Sequence, residues 1–592
     1  MWEAEALKEL LSGNVAIARG ALAGGVALAS GYPGTPSTEI LETLAGYEGI
    51  YSEWAPNEKV ALEVGIGAAM AGARSIVTMK HVGVNVAADP LLTVAYTGVN
   101  GGLLLVSADD PGMHSSQNEQ DNRNYAKFAK IAMLEPSDSQ EAMDMVGLGL
   151  TISEEFDIPV MLRTTTRVAH SQSMVEATDD GPVAGEIKPY TRDVKKNLMV
   201  PAFGKLRRIS LSERMSRLAE YSENTPVNFI VPGSDKVGVI TSGISYQLVR
   251  EVLPDVSILK LGMTNPLPVG LIKKFAAQVE TLFVVEELEP FLEDQIHKLG
   301  IQVIGKELFP EMGEYDQGLL RRCFAKAGVL PAAPPMADTA VLPQAPPRPP
   351  VLCAGCPHRG VFYTLRQLKL TVTGDIGCYT LGGLPPLEGI DACVCMGASI
   401  GMAHGIDKAV PSLKGRTVAV IGDSTFLHSG ITGLLNAVYN NSDSTVIILD
   451  NRTTAMTGHQ NNPATGLNLM GQEAPEVDLT MLCLALGVKR VETVDPMDMS
   501  RLQEIIKAEV AAPGPSVIIA RRPCALLKRE VEPAVTVDPE KCIGCKMCLK
   551  LSCPAIAVVE DKALVDAEAC VGCNLCVQVC KTGAMQRGQA DA

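Results

Sequence analysis

Residues 417–426, TVAVIGDSTF, and 445–451, TVIILDN, decide the fold of this 592-residue chain. Each is a short apolar run, rich in β-branched residues, that stops at a polar group. Such runs, alternating with helical patterns, read as buried strands of a parallel sheet. The first ends in Gly422-Asp423-Ser424 and the second in Asn451, twenty-eight positions after Asp423. Parallel neighbours would deliver both residues to one sheet edge, the place where open α/β sheets bind ligands. A carboxylate, an amide and a main-chain carbonyl there suit Mg2+ held against a diphosphate. Gly422 would let the backbone approach the phosphates. GDS alone reads equally well as an ordinary turn.

Working outward, Ser516–Ala520 is a third buried strand, and 351–530 reads as one α/β domain. Upstream, PAAPPMADTAVLPQAPPRPP (331–350) is a Pro-rich, extended linker. Before it, KVGVITSG, VSILKLG and TLFVVEEL mark a smaller α/β domain over 235–330. Residues 1–200 alternate again. Helices over Asn14–Ala23 and Asn57–Gly72 are predicted beside strands at Val26–Ser30, Ser75–Lys80, Gly101–Ala108 and Pro159–Arg163. The fold class is therefore α/β with parallel sheets, followed by a small α+β domain over 531–588.

Composition narrows the function. Hydrophobic residues make up 46% and the net charge is −16, which argues against a phosphate-neutralising face and so against nucleic acid. MWEAEALKELLSGN lacks the basic start and apolar core of a signal peptide, and no stretch approaches the roughly 18–20 apolar residues of a membrane span. A cytoplasmic protein is expected, without membrane or nucleic-acid partners. In that reducing setting sixteen cysteines point to metal rather than to disulfides.

Twelve of them fall into groups. The tail repeats itself: Cys542-x2-Cys545-x2-Cys548-x4-Cys553-Pro554, then Cys570-x2-Cys573-x2-Cys576-x3-Cys580. Three thiolates on one loop can cap three irons of a cubane, and in two-cluster ferredoxins the fourth comes from the opposite run. One cluster is thus expected on Cys542, Cys545, Cys548 and Cys580, the other on Cys570, Cys573, Cys576 and Cys553. The x4 spacing, and Lys581 where proline usually follows, depart from the common pattern without preventing ligation. A zinc ribbon would use pairs across a longer spacer. Cys353-x2-Cys356 is weaker, since redox dithiols and zinc sites share it. With Cys378 and Cys524, each following a strand, it could converge on one edge. Cys323, Cys393, Cys395 and Cys483 sit in apolar contexts and read as small core residues, although Cys393 and Cys395 stand near the expected cofactor edge and could line its pocket instead.

GDS followed by DN resembles the GDG…NN motif of thiamine-diphosphate enzymes. AMTGHQNNPATG (455–466) is similar to a segment of the thiamine-diphosphate 2-oxoacid:ferredoxin oxidoreductases. The resemblance implies metal ligation by Asp423, Asn451 and the Thr453 carbonyl, with Gly422, Ser424 and His459 near the diphosphate. Glu58 lies nine residues before Gly67 of GIGAAMAGAR, the family's offset for the glutamate that activates the cofactor. Glu63 is the competing carboxylate. SGYPGTPSTE resembles the segment whose threonine, Thr35 here, meets the oxoacid, although Thr35 or Ser37 would also serve as a helix N-cap. The family's carboxylate-binding arginine has no clear counterpart. Gln117 stands near its place, and Arg123 is the nearest substitute.

The family also places a proximal [4Fe–4S] cluster on cysteines spaced like Cys353, Cys356, Cys378 and Cys524. Domain order over nearly the whole chain, and the x4 spacing, are most similar to the family's arylpyruvate branch. The resemblance therefore implies thiamine diphosphate, Mg2+ and three [4Fe–4S] clusters. It further implies oxidative decarboxylation of a 2-oxoacid to an acyl-coenzyme A, electron delivery to ferredoxin, and a small partner subunit in a heterotetramer. A non-oxidative thiamine decarboxylase would need no clusters, and a non-catalytic electron carrier would need no Glu58, Asp423 or Asn451.

Overall fold

The computed structural model describes residues 7–177, 187–331, 349–527 and 531–588. The chain divides into two compact units, Met1–Pro343 and Gln344–Ala592. Apart from residues 331, 349 and 350, the Pro-rich stretch 331–350 lies outside the described residues.

In the first unit a seven-stranded sheet runs in the order Met263–Asn265, Ala132–Leu134, Val160–Thr165, Leu103–Asp109, Ser75–Lys80, Leu28–Gly31, Tyr51–Trp54. Every pairing is parallel except that of Met263–Asn265, which runs antiparallel along one edge. Leu103–Asp109 and Ser75–Lys80 are buried at every position, as strands covered by helices on both faces must be. The parallel strands all finish on one side, so the residues at or just beyond Gly31, Trp54, Lys80, Asp109 and Thr165 share the carboxyl edge. A four-stranded sheet, ordered Thr281–Val285, Ser234–Ser242, Val256–Leu261, Asn228–Val231, follows in the same unit.

Ionic contacts tie that sheet to the first. Arg123 donates to Asp121, to Glu286 Oε2 (2.5 Å), and to the carbonyls of Glu287 and Glu289. Within the seven-stranded sheet, Arg163 pairs with Asp109 and Glu135. Removing one partner from such buried pairs costs about 3–5 kcal/mol, because the other charge is left in a dry interior.

The second unit holds a five-stranded, all-parallel sheet ordered Thr371–Thr373, Thr417–Gly422, Thr445–Asp450, Ser516–Arg521, Arg490–Val494. Thr417–Gly422 and Thr445–Asp450 lie side by side and are buried throughout. The tail, 531–588, is built differently. Its strands are two antiparallel ribbons, Thr536–Val537 with Met585–Gln586 and Ile556–Val559 with Lys562–Val565. Each cysteine triplet runs into a single short helical turn, Met547–Leu551 or Leu575–Val579. Gln578 clips the tail to the sheet domain, donating to Met497 O and accepting from Met499 N. Among the described residues no helix is long and apolar enough to cross a membrane.

Candidate cofactor and cluster sites

At the carboxyl edge of the five-stranded sheet, Asp423 opens a helical turn directly after Gly422 and is 2% exposed. Its carboxyl is pushed up to about 7, by burial and by the neighbouring Asp450 carboxylate. Asp450 Oδ1 is itself buried and has no hydrogen-bond partner. One terminal atom of the Asn451 amide stands 3.1 Å from Asp423 Oδ1 and 2.9 Å from the Thr453 carbonyl oxygen. If that atom is nitrogen, the amide donates to both. If it is oxygen, three acceptors face one another, an arrangement that only a cation resolves. The donor set of carboxylate, amide and carbonyl is what a small hard cation takes, so these residues fit Mg2+.

Asn462 Nδ2 reaches Asp423 Oδ2 at 3.5 Å, and Thr454 Oγ1 donates to Ser424 Oγ at 2.9 Å. Gly422 has a further reason to lack a side chain: a Cβ there would lie 2.7 Å from the ring of Tyr379. Asp375, which the sequence reading passed over, accepts from the Gly397 and Ser399 amides at the same edge.

The seven-stranded sheet offers another set at its carboxyl edge. Asn57 caps the helix Glu58–Met70 by accepting from Val60 N, and Glu58, in its first turn, is 5% exposed. A cap of this kind is worth about 1 kcal/mol. Gly83 leaves room for the Glu58 carboxylate, which would lie 2.7 Å from a Cβ there. Glu63 is different: it is exposed and pairs with Lys59 one turn back. Burial thus separates the two candidates.

Thr35 is half-buried, and its carbonyl accepts from Ser115 Oγ at 3.4 Å. Ser37 holds the N-cap position of the helix Thr38–Leu44, but its hydroxyl turns back to Gly34 O. Arg123, weighed above for a substrate carboxylate, is fully engaged by the acidic residues and carbonyls around it, and Gln117 is exposed. The cation beside Thr35 is Lys80, at the end of a central strand. It donates to Ser115 O at 2.6 Å, and burial pushes its ammonium down to about 8 against the pull of Asp110.

Sixteen thiols divide by place. No three His, Cys, Asp or Glu side chains among the described residues close on a single ion. A four-iron cluster needs its thiolates wider apart, around a cavity. One cavity is lined by Cys542, Cys545, Cys548 and Cys580, and another by Cys553, Cys570, Cys573 and Cys576. At the first, Cys545 is exposed and Ile543 beside it is 70% exposed. There Cys542 Sγ accepts from the amide of Ala563, and main-chain N–H groups hold this thiol below its usual range. In the second, burial pushes Cys576 up to about 12.

Cys353, Cys356, Cys378 and Cys524 also stand within each other's fields. Burial, then Cys353 and Cys524, lift Cys356 to about 12, and burial with Cys524 and Cys353 lifts Cys378 to about 11. Cys524 N donates to Asn451 O, and His459 Nε2 lies 3.8 Å from Cys524 Sγ. Cys323 and Cys483 are buried as expected. Cys393 is only half-buried and Cys395 exposed, because they lie in the irregular stretch after the Thr373–Ala392 bridge rather than in an element.

Three family models match the chain. Residues 19–211 match a pyruvate flavodoxin/ferredoxin oxidoreductase, thiamine diphosphate-binding model. Residues 375–520 match the C-terminal TPP-binding domain of thiamine pyrophosphate enzymes, and 534–581 a 4Fe-4S dicluster domain. By class this is a thiamine-diphosphate, iron–sulfur oxidoreductase. Indolepyruvate oxidoreductase subunit IorA of Archaeoglobus fulgidus is 40% identical over 100% of this chain and 99% of its own. Those of Pyrococcus horikoshii and Methanothermobacter marburgensis are each 41% identical, over 99% and 97% of this chain and 98% and 97% of their own. The chain belongs to the indolepyruvate oxidoreductase IorA family. A solved 2-oxoglutarate:ferredoxin oxidoreductase from Magnetococcus marinus superposes with a TM-score of 0.47 at 19% identity, over 55% of this chain and 65% of that one.

Proposed function

We propose that this chain is the catalytic large subunit of an arylpyruvate:ferredoxin oxidoreductase, converting indolepyruvate and similar arylpyruvates to aryl-acetyl-CoA and CO2. It would work with a small partner subunit, as a heterotetramer, and pass its electrons to ferredoxin. The carrying observation is the presence in one chain of the Asp423–Asn451–Thr453 oxygen set and of twelve thiols gathered in three groups. A decarboxylase without electron transfer has no use for the thiols.

Asp423, Asn451 and the Thr453 carbonyl would hold Mg2+ against the diphosphate. Bound thiamine diphosphate supplies a nucleophilic carbon and a sink for the electrons that decarboxylation leaves. Buried Glu58 offers a carboxylate that can share a proton with the aminopyrimidine ring, which in water would be a weak interaction. Thr35 would meet the oxoacid, and Lys80 beside it can pair with the departing carboxylate. Two electrons must then leave singly. Cys353, Cys356, Cys378 and Cys524 would hold the proximal cluster, Cys553, Cys570, Cys573 and Cys576 the inner one, and Cys542, Cys545, Cys548 and Cys580 the outer one. The exposure of Cys545 and Ile543 in the last set supports its place at the exit.

Anaerobic co-purification with the partner subunit tests this. Expected are about twelve irons per chain, four for each of three cubanes, bound thiamine, and coenzyme A-dependent dye reduction by indolepyruvate. About eight irons would remove the proximal cluster. Activity with pyruvate but not with arylpyruvates would overturn the substrate.

A further inference from the structure

Arg359, the second residue of the helix His358–Leu368, is 1% exposed. Its guanidinium faces two loops at once. On one side it donates to Leu352 O and to Cys353 O (3.0 and 3.2 Å), within the CAGC loop. On the other it donates to Leu551 O (2.7 Å) and Ser552 O, immediately before Cys553. The CAGC loop is also closely packed on the second cysteine run: a Cβ on Gly355, at φ +71°, would lie 2.5 Å from Val571 Cγ2. Ala354, Gly355 and Arg359 all line the cavity that Cys553, Cys570, Cys573 and Cys576 surround.

Among the described residues no carboxylate pairs with Arg359. The anionic groups acting on it are thiols, Cys553, Cys356, Cys573 and Cys353, drawn from both sets. A buried guanidinium held only by carbonyl dipoles is poorly compensated, and it needs a negative partner. Neutral thiols cannot be that partner, whereas a thiolate-ligated cluster is.

We propose that Arg359 is the shared counter-ion of the proximal and inner clusters, and that it favours the reduction of both. This rests on the reading above that both thiol sets carry clusters. Each cluster gains one negative charge with each electron, so a fixed cation between them favours the reduced form of both. The outer cluster, on Cys542, Cys545, Cys548 and Cys580, shares no contact with Arg359 and should feel it least.

The test is a dithionite titration of the anaerobic holoenzyme, followed cluster by cluster by electron paramagnetic resonance. Dithionite supplies one electron to each cluster. In Arg359→Gln, which keeps two donors but loses the charge, the reduced-to-oxidised ratio at fixed potential should fall about tenfold for the proximal and inner clusters, as expected for a unit charge in a partly screened interior. The outer ratio should stay within about twofold, and Arg359→Lys should restore most of the loss. An unmoved ratio in Arg359→Gln with full iron overturns the proposal, as does an equal fall at all three clusters.

The wild type gives a second reading, should the Gln variant assemble poorly. Fully reduced, its proximal and inner signals should broaden one another, and independent signals overturn the shared position. An iron content of eight with no proximal signal would instead remove the cluster reading on which the proposal stands.

Discussion

The two halves of the second unit hold themselves together by opposite means. In the five-stranded sheet, Val418, Val420, Ile447, Leu449 and Ile518 are sealed among the helices that cover them, and the cofactor residues sit on its edge as passengers. In the tail, the strands are two to four residues long, and Leu551, Leu575, Val579 and Met585 pack among the cysteines themselves. An isolated two-stranded ribbon is marginal in water, and so is a core this small. The sheet should therefore stand without its cofactor, whereas the tail is conditional on what fills its two cavities. A site can be carried by a fold, or it can be most of the fold.

The sharpest way to break this contrast is to remove iron. Cys573→Ser should lose about four irons per chain and open 531–588 to trypsin, while 371–521 stays resistant. Dye reduction should fall more than about 100-fold, since structural metal is folding free energy for a small module. Mass spectrometry of the fragments decides it. A tail that survives chelation uncut would mean that its apolar core suffices.

The converse effect, on the sheet edge, should be large in function and small in stability. Asp423→Asn removes the charge that faces Asn451 Oδ1 or Nδ2 and the Thr453 carbonyl. At fixed Mg2+, thiamine diphosphate should bind about 100-fold more weakly, with iron unchanged. The melting temperature of the cofactor-free protein should not fall, because a buried carboxylate beside Asp450 is unfavourable until a cation arrives. A loss of iron, or a large drop in melting temperature, would mean that Asp423 supports the fold rather than the cofactor.

That asymmetry also explains what could be read from the sequence. Thr417–Gly422 and Thr445–Asp450 are legible because a strand buried on both faces must be an unbroken apolar run, and their ends place Asp423 and Asn451. The tail is legible for another reason, since three thiolates on one loop fix their own spacing. What stays hidden is charge whose role depends on distant partners. Arg123 looks available beside Gln117, but its partner Glu286 lies 163 residues further on. Lys80 reads as the last residue of a strand and no more, until folding sets Thr35 and Ser115 around it. Cys393 and Cys395 read as core because their neighbours are apolar, although no helix or strand carries them inward.

In the first unit, burial predicts a similar contrast over one helix. Glu58→Gln keeps the size of the side chain and its place beside Gly83, but cannot share a proton. The turnover number should fall about 100- to 10,000-fold, the usual worth of a positioned acid or base, with thiamine and iron content unchanged. A fall in thiamine content alone would make Glu58 a binding residue instead.

Glu63 supplies the smallest effect and the control. It lies five residues on from Glu58 in the same helix, yet it faces solvent, and its ion pair with Lys59 is exposed on both sides. Pairs of this kind contribute little and are screened by salt. Glu63→Gln should accordingly leave the turnover number and the Michaelis constant for indolepyruvate within about twofold, with any loss of stability no larger than that pair. Steady-state kinetics beside a melting curve in low and high salt decide the matter. If Glu63→Gln were to abolish turnover while Glu58→Gln did not, burial would have misidentified the activating carboxylate. The carboxyl edge of the seven-stranded sheet would then lose its claim to the cofactor's ring.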